Sequence, residues 1–168
     1  TTGLSGCDFN LWPSFSKTIL FLLMIVGASA GSTGGGFKVS RLVVLVKSAK
    51  NEIQKVIHPR SIKKLHMDGR AFPEDLIRSI LVYTGIYVLL SFVSILIVSL
   101  DNFSFETNVS AVMATLNNIG PGLDVVGPTG NFSAFSDVSK VVMIFDMLAG
   151  RLELIPILVL FSPQTWKK

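Results

Sequence analysis

FETNVSAVMATLNNIGPGL, residues 105–123, decides how the rest of the chain is read. Positions 105–116 are apolar or small at most places and predict a helix of about 18 Å, too short for a hydrocarbon core of about 30 Å. Residues 101–137 contain no Lys or Arg. Because cytoplasmic loops collect basic residues, both flanks of the short helix are expected on the outer side. An apolar helix that cannot cross, with both ends outside, must enter and return, with 117–123 as the returning strand. The negative end of its dipole, at Leu116, then faces mid-membrane and favours a cation.

Working outward, residues 79–100 carry no Asp, Glu, Lys or Arg. As a helix they measure about 33 Å, enough to cross, with Arg78 placed to snorkel at the inner end. A helix over about 75–100 thus runs outward, and one over about 136–161 returns. Asp146, Arg151 and Glu153 fall well inside that second helix, where charge is costly and calls for a reason. Between positions 47 and 70 stand Lys47, Lys50, Lys55, Arg60, Lys63, Lys64 and Arg70 against Glu52 and Asp68. This segment is expected in the cytoplasm, as are Lys167 and Lys168.

Composition agrees: of 168 residues, 49% are hydrophobic and 15% charged, an unsuitable mixture for a soluble domain of this size. The net charge of +4 does not imply nucleic acid, because the basic residues gather in one segment between apolar runs. Residues 18–37 are also free of charged side chains. They do not resemble a signal peptide, having no basic start, Asp8 before them and no cleavage-like end. The single cysteine, Cys7, leaves no disulfide framework or Cys-based metal site within the chain. A small buried or interfacial role is expected for it. With no initiator Met at Thr1, the chain is expected to be part of a longer polypeptide.

Residues 15–46 are largely apolar, yet a continuous helix of that length would measure about 48 Å, too long for a simple crossing. GASAGSTGGG at 27–36, half of it glycine, interrupts it where helix propensity is lowest. Unwound backbone at membrane depth is tolerated only inside protein or lining water. A phosphate-binding loop is excluded in detail. Phe37 stands where a Walker A pattern needs Lys, Lys38 is followed by Val39, and no GxGxxG is present.

Helix, short helix, glycine-bearing loop and helix form the pore module of a cation channel. Gly120 and Gly122 admit backbone conformations that let successive carbonyls point one way. Four such loops around an axis replace the hydration shell of K⁺, as in the TVGYG filter, and NIGPG at 118–122 is a degenerate relative of that pattern. The alternative is an outer turn rich in Asn, Gly and Pro.

GASAGSTGGGFK (27–38), TLNNIGPGL (115–123), and GRLE with a following apolar run and FSPQTW (150–166) stand in the order and spacing of the TrkH-type potassium transport subunit of the Trk, Ktr and HKT superfamily. The resemblance covers essentially the whole chain. It implies an all-α integral membrane protein built from potassium-channel-like repeats of helix, pore helix, filter loop and helix. Four repeats surround one pore. Residues 1–57 are then the end of the third repeat, 58–74 a basic cytoplasmic linker, and 75–168 the fourth repeat with a short cytoplasmic tail.

The resemblance further implies filter residues Thr1, Thr2 and Gly3 from the third repeat and Asn118, Ile119 and Gly120 from the fourth, with K⁺ held at Thr1, Thr2, Asn118 and Ile119. It makes 27–36, with Gly31, Gly34, Gly35 and Gly36, a loop beneath the filter that obstructs the closed pore. Arg151 would project below the filter and raise the barrier to cations. A structural ion pair of Arg151 with Asp146 or Glu153 is the other reading. Asp146 departs from the uncharged residue usual in the family; contact with Arg151, with the pore or with a neighbouring helix all stay open. Implied partners are the missing N-terminal repeats, a second copy in a homodimer, a cytoplasmic nucleotide-binding regulatory subunit and lipid, in a bacterial or archaeal inner membrane. No cofactor is implied, K⁺ being cargo. Na⁺ permeation is a close variant.

The remaining features read more plainly. His58 and His66 lack a carboxylate cluster or third His for a metal site. Residues 38–60 suit an amphipathic surface helix near anionic lipid. Trp12 and Trp166 suit interfacial anchors. A polytopic membrane enzyme using Asp146, Arg151 and Glu153 is a rival without a His-rich or paired-carboxylate motif. A structural or assembly subunit lining no pore is another.

Overall fold

The computed structural model describes residues 3–32, 34–58, 66–67, 70–71 and 73–152. Among these residues, five helices carry the architecture: α1 Ser14–Val26, α2 Val39–Ile57, α3 Glu74–Val98, α4 Phe105–Leu116 and α5 Asp137–Leu152. Between α2 and α3 a minimal antiparallel ribbon pairs β1 His66–Met67 with β2 Arg70–Ala71. Thr1, Thr2, Glu153 and Trp166 lie outside the described residues.

Helix boundaries follow local chemistry. Pro13 and Pro73 precede α1 and α3, where a missing N–H costs nothing. Glu74 and Asp75 occupy the first turn of α3, opposite the positive end of its dipole. The Ser104 hydroxyl accepts from Thr107 N at 3.2 Å and caps α4. Among the described residues, Glu74–Asp101 is long and apolar enough to cross a membrane, whereas Ser14–Val26 is apolar but shorter.

The short helix is the centre of the fold. Eight residues of α4 are buried, with α3 and α5 against it and α1 touching it more lightly. α3 turns Tyr83, Tyr87, Ser91, Ser94 and Val98 inward, and α5 turns Ser139, Met143, Asp146 and Ala149 inward, both at helical spacing. One apolar cluster joins Phe37, Tyr83, Tyr87, Leu116 and Ala149 near the C-terminal end of α4. A second joins Val98, Ala111, Val112, Val126, Phe135 and Met143. Large apolar side chains point away from the bundle, such as Leu22, Leu89, Phe92, Leu96 and Val141.

Candidate functional site: apposed backbone loops above a glycine loop

The segment after α4 is irregular backbone. Asn118 (φ +52°) and Gly120 (φ +110°) are left-handed, the first tolerated by Asn, the second glycine territory. Ile119 N donates to Ala114 O at 2.9 Å, fastening the turn to the helix it leaves. Farther on, Leu123 N donates to Ser110 Oγ at 2.9 Å. Asp124 closes the return, its Oδ2 accepting from Ser104 Oγ at 2.7 Å and Thr107 Oγ1 at 2.6 Å. The Thr107 and Ser104 hydroxyls hold its carboxyl below the ordinary value of 3.8. This anchor is therefore present above that pH and is lost as pH falls through the lowered value.

The start of the chain meets this loop backbone to backbone. A Cβ on Gly3 (φ +73°) would lie 3.2 Å from Ile119 O, and one on Gly120 would lie 3.3 Å from Gly3 Cα. Asn10 secures the approach. Its side-chain amide donates to Asp124 O at 3.0 Å and its carbonyl accepts from Asp124 N at 2.9 Å, as a neighbouring strand would. Lys17 and Glu106, 3.5 Å apart, add a half-exposed ion pair between α1 and α4. Gly3 and Ile119 border two cavities. One, of about 570 Å³, lies toward Met143 and Met147 of α5; the other, of about 350 Å³, lies toward Leu23 and Gly27.

Below the return loop sits the glycine-rich segment. Its base is stapled: Phe37 N donates to Ile25 O and Lys38 N to Val26 O, each at 3.0 Å, and Val39 N to Ala28 O at 3.1 Å. The first two satisfy carbonyls that the end of α1 leaves without helical partners. The intervening residues are thereby thrown out as a compact loop. The staple brings Gly27 and Gly36 together so closely that a Cβ on Gly36 would lie 2.5 Å from Gly27 Cα. Gly35 is buried, and its Cβ would lie 1.9 Å from Asn117 O. Gly31 (φ +80°) faces open space near the tip. Gly34 N donates to Ser32 Oγ at 3.1 Å.

Gly34, Gly35, Gly36, Lys38, Arg41 and Arg151 line a cavity of about 200 Å³ beside the glycine loop. Arg41 also stacks over the Tyr83 ring, 3.9 Å from its centroid. Of the cavity's three cations, sequence reasoning singled out Arg151 alone. Lys38, the residue that caps α2, and Arg41 in its first turn stand three positions apart, a basic pair visible in the sequence.

Arg151 is delivered there by a close helix contact. A Cβ on Gly150 would lie 1.8 Å from Leu116 O, so α5 rides against the end of α4 only because position 150 has no side chain. Asn118 Nδ2 donates to Met147 O at 3.0 Å and ties the return loop to α5. Gly150→Ala is expected to lower stability by about 1–3 kcal/mol or more, as overpacking does. The thermal unfolding midpoint of the purified full-length protein measures it.

Asp146 does not pair with Arg151. Its Oδ1 accepts from Ser94 Oγ of α3 at 2.8 Å, so of the three open readings the neighbouring helix is the one found. Cys7 is exposed in this chain rather than buried. Among the described residues no three His, Cys, Asp or Glu side chains gather as a metal site, and His58 is exposed.

These features define a class: helical proteins in which a half-length helix and a glycine-bearing return loop are folded between longer helices. Within it, a family model described as TrkH, cation transport protein, matches residues 1–168, and the chain belongs to that family. The Trk system potassium uptake protein TrkH of Escherichia coli (strain K12) is 37% identical over 168 residues, covering 100% of this chain and 34% of the relative. TrkG of the same strain is 32% identical over 165 residues, 98% of this chain and 34% of its own length. The crystal structure of the potassium transporter TrkH from Vibrio parahaemolyticus superposes with a TM-score of 0.86 at 33% identity, covering 99% of this chain and 36% of that one. The chain thus spans about a third of the relatives it matches.

Proposed function

We propose that the chain forms two adjoining parts of a K⁺ pathway through a membrane, with Thr1, Thr2, Gly3, Asn118, Ile119 and Gly120 contributing carbonyls to a filter completed by repeats outside this chain. The observation that carries the reading is the apposition of Gly3 to Ile119 and Gly120, with Gly35 pressed on Asn117 directly behind them. Backbone carbonyls held without intervening side chains are what dehydrating K⁺ requires. In this reading 1–57 ends a third repeat, 58–74 is a cytoplasmic linker and 75–168 is the fourth repeat of a multi-pass inner-membrane protein. The stapled 27–36 loop, with Gly31, Gly34, Gly35 and Gly36, is its gate.

No bond chemistry is assigned to the chain. The exposed face of α2 and its basic continuation suit anionic lipid and a cytoplasmic nucleotide-binding regulatory subunit; a second copy completes a homodimer. Growth of an uptake-deficient host on limiting K⁺, carrying the intact full-length protein, tests the reading. Growth that depends on Na⁺ influx instead would favour the Na⁺-permeable variant.

Arg151 lines the cavity beside the glycine loop with Lys38 and Arg41, and a cation there raises the barrier to K⁺ in a low-dielectric passage. Arg151→Ala is expected to raise K⁺ flux about threefold to tenfold, the equivalent of roughly a kcal/mol of barrier. Flux and surface expression are measured together. Unchanged flux at normal expression would count against a barrier role.

A further inference from the structure

Asp146 is a buried acid that the ion pathway above does not use. It is 0% exposed, on the face of α5 that also buries Ser139, Met143 and Ala149. Across from it, α3 buries Ser91, Ser94 and Val98. One carboxyl oxygen, Oδ1, has Ser94 Oγ at 2.8 Å; the other, Oδ2, is buried with no hydrogen-bond partner.

The charged and titratable groups on the surrounding helices are committed elsewhere. On α5, Lys140 lies 3.7 Å from Asp137, and Arg151 lines the cavity beside the glycine loop. On α3, Tyr87 donates to Asn117 Oδ1 at 2.9 Å, Tyr83 sits beneath Arg41, and Glu74, Asp75 and Arg78 occupy the first turns. On α4, Glu106 faces Lys17. An ionised Asp146 would be a whole negative charge out of water, compensated by one neutral hydroxyl. A protonated carboxyl resolves this. Protonated on Oδ1, the acid donates its O–H to Ser94 Oγ across the same 2.8 Å contact, and the bare Oδ2 is an uncharged carbonyl oxygen.

We propose that Asp146 is a proton-binding site that keeps its proton at neutral pH, making Asp146–Ser94 an uncharged hydrogen-bonded joint between α3 and α5. The ligand is the proton itself. The joint lies one turn before Gly150, where α5 contacts Leu116 O, so it braces the helix that carries Arg151. The site is independent of the K⁺ reading, and its test can succeed where that one fails.

Infrared spectra of the intact full-length protein in lipid at neutral pH, with Asp146→Asn as reference, decide the matter. The expected result is a protonated-carboxyl C=O band that shifts on deuterium exchange and is missing in the variant. A carboxylate signal lost on substitution, with no such band, overturns the proposal. Should Asp146→Asn fail to fold, Ser94→Ala replaces it. A C=O band displaced by loss of its hydrogen-bond partner supports the site, and a spectrum identical to the parent's overturns it.

Discussion

Gly35→Ala in the intact full-length protein is expected to raise K⁺ uptake. The added methyl would lie 1.9 Å from Asn117 O and 2.7 Å from its carbonyl carbon, and a backbone atom cannot rotate away as a side chain can. Asn117 is fully buried, with its N–H bonded to Met113 O and its side-chain oxygen to Tyr87. The glycine loop is the weaker partner. A Cβ on Gly31 near its tip would meet nothing within 4 Å, and among the described residues its backbone hydrogen bonds run within the loop and to its own base. The loop therefore withdraws from beneath the return loop, which in the proposed pathway is opening. A barrier lowered by about 1 kcal/mol gives about fivefold more flux. Uptake in whole cells, normalised to surface expression, reads the effect. Reduced uptake at normal expression would make the Gly35 contact a support for the return loop instead of an obstruction.

The elements that depend on local pattern were the legible ones. The short apolar run before TLNNIGPGL predicted a helix over 105–116, and α4 is Phe105–Leu116, because Ser104 caps one end and Asn117 the other. Likewise the glycines at 27–36 break what would have been one long helix, leaving α1 and α2 on either side. What joins distant parts was not legible. Asn10 reaches Asp124 across 114 positions and Ser94 reaches Asp146 across 52, and no periodicity marks either pair in advance. Gly150 read only as part of a GRLE motif, although its missing side chain sets the distance between α4 and α5. Asp146 shows the same limit from the other side. Its charge was conspicuous in an apolar helix, but the sequence left Arg151, the pore and a neighbouring helix all open, and only the packing of α3 on α5 singles out Ser94.

Gly120→Asp is expected to abolish K⁺ conduction or its selectivity over Na⁺. Two independent effects act at this position. The backbone at φ +110° is one that side chains with a Cβ enter at a cost of about 1–3 kcal/mol. The Cβ would also arrive 3.3 Å from Gly3 Cα, where the two loops meet. A carbonyl ring that must match a dehydrated ion tolerates neither a twisted peptide nor a separated neighbour, and the carboxylate adds a charge that binds cations without sorting them. Gly120→Ala separates these contributions, since it keeps the backbone strain and the contact but adds no charge. Reversal potentials in mixed K⁺ and Na⁺ should shift in both variants if geometry dominates, and only in the aspartate variant if charge does. Unaltered selectivity in Gly120→Asp at normal expression would remove this loop from the filter. The apposition with Gly3 would then be a structural contact between two parts of the chain.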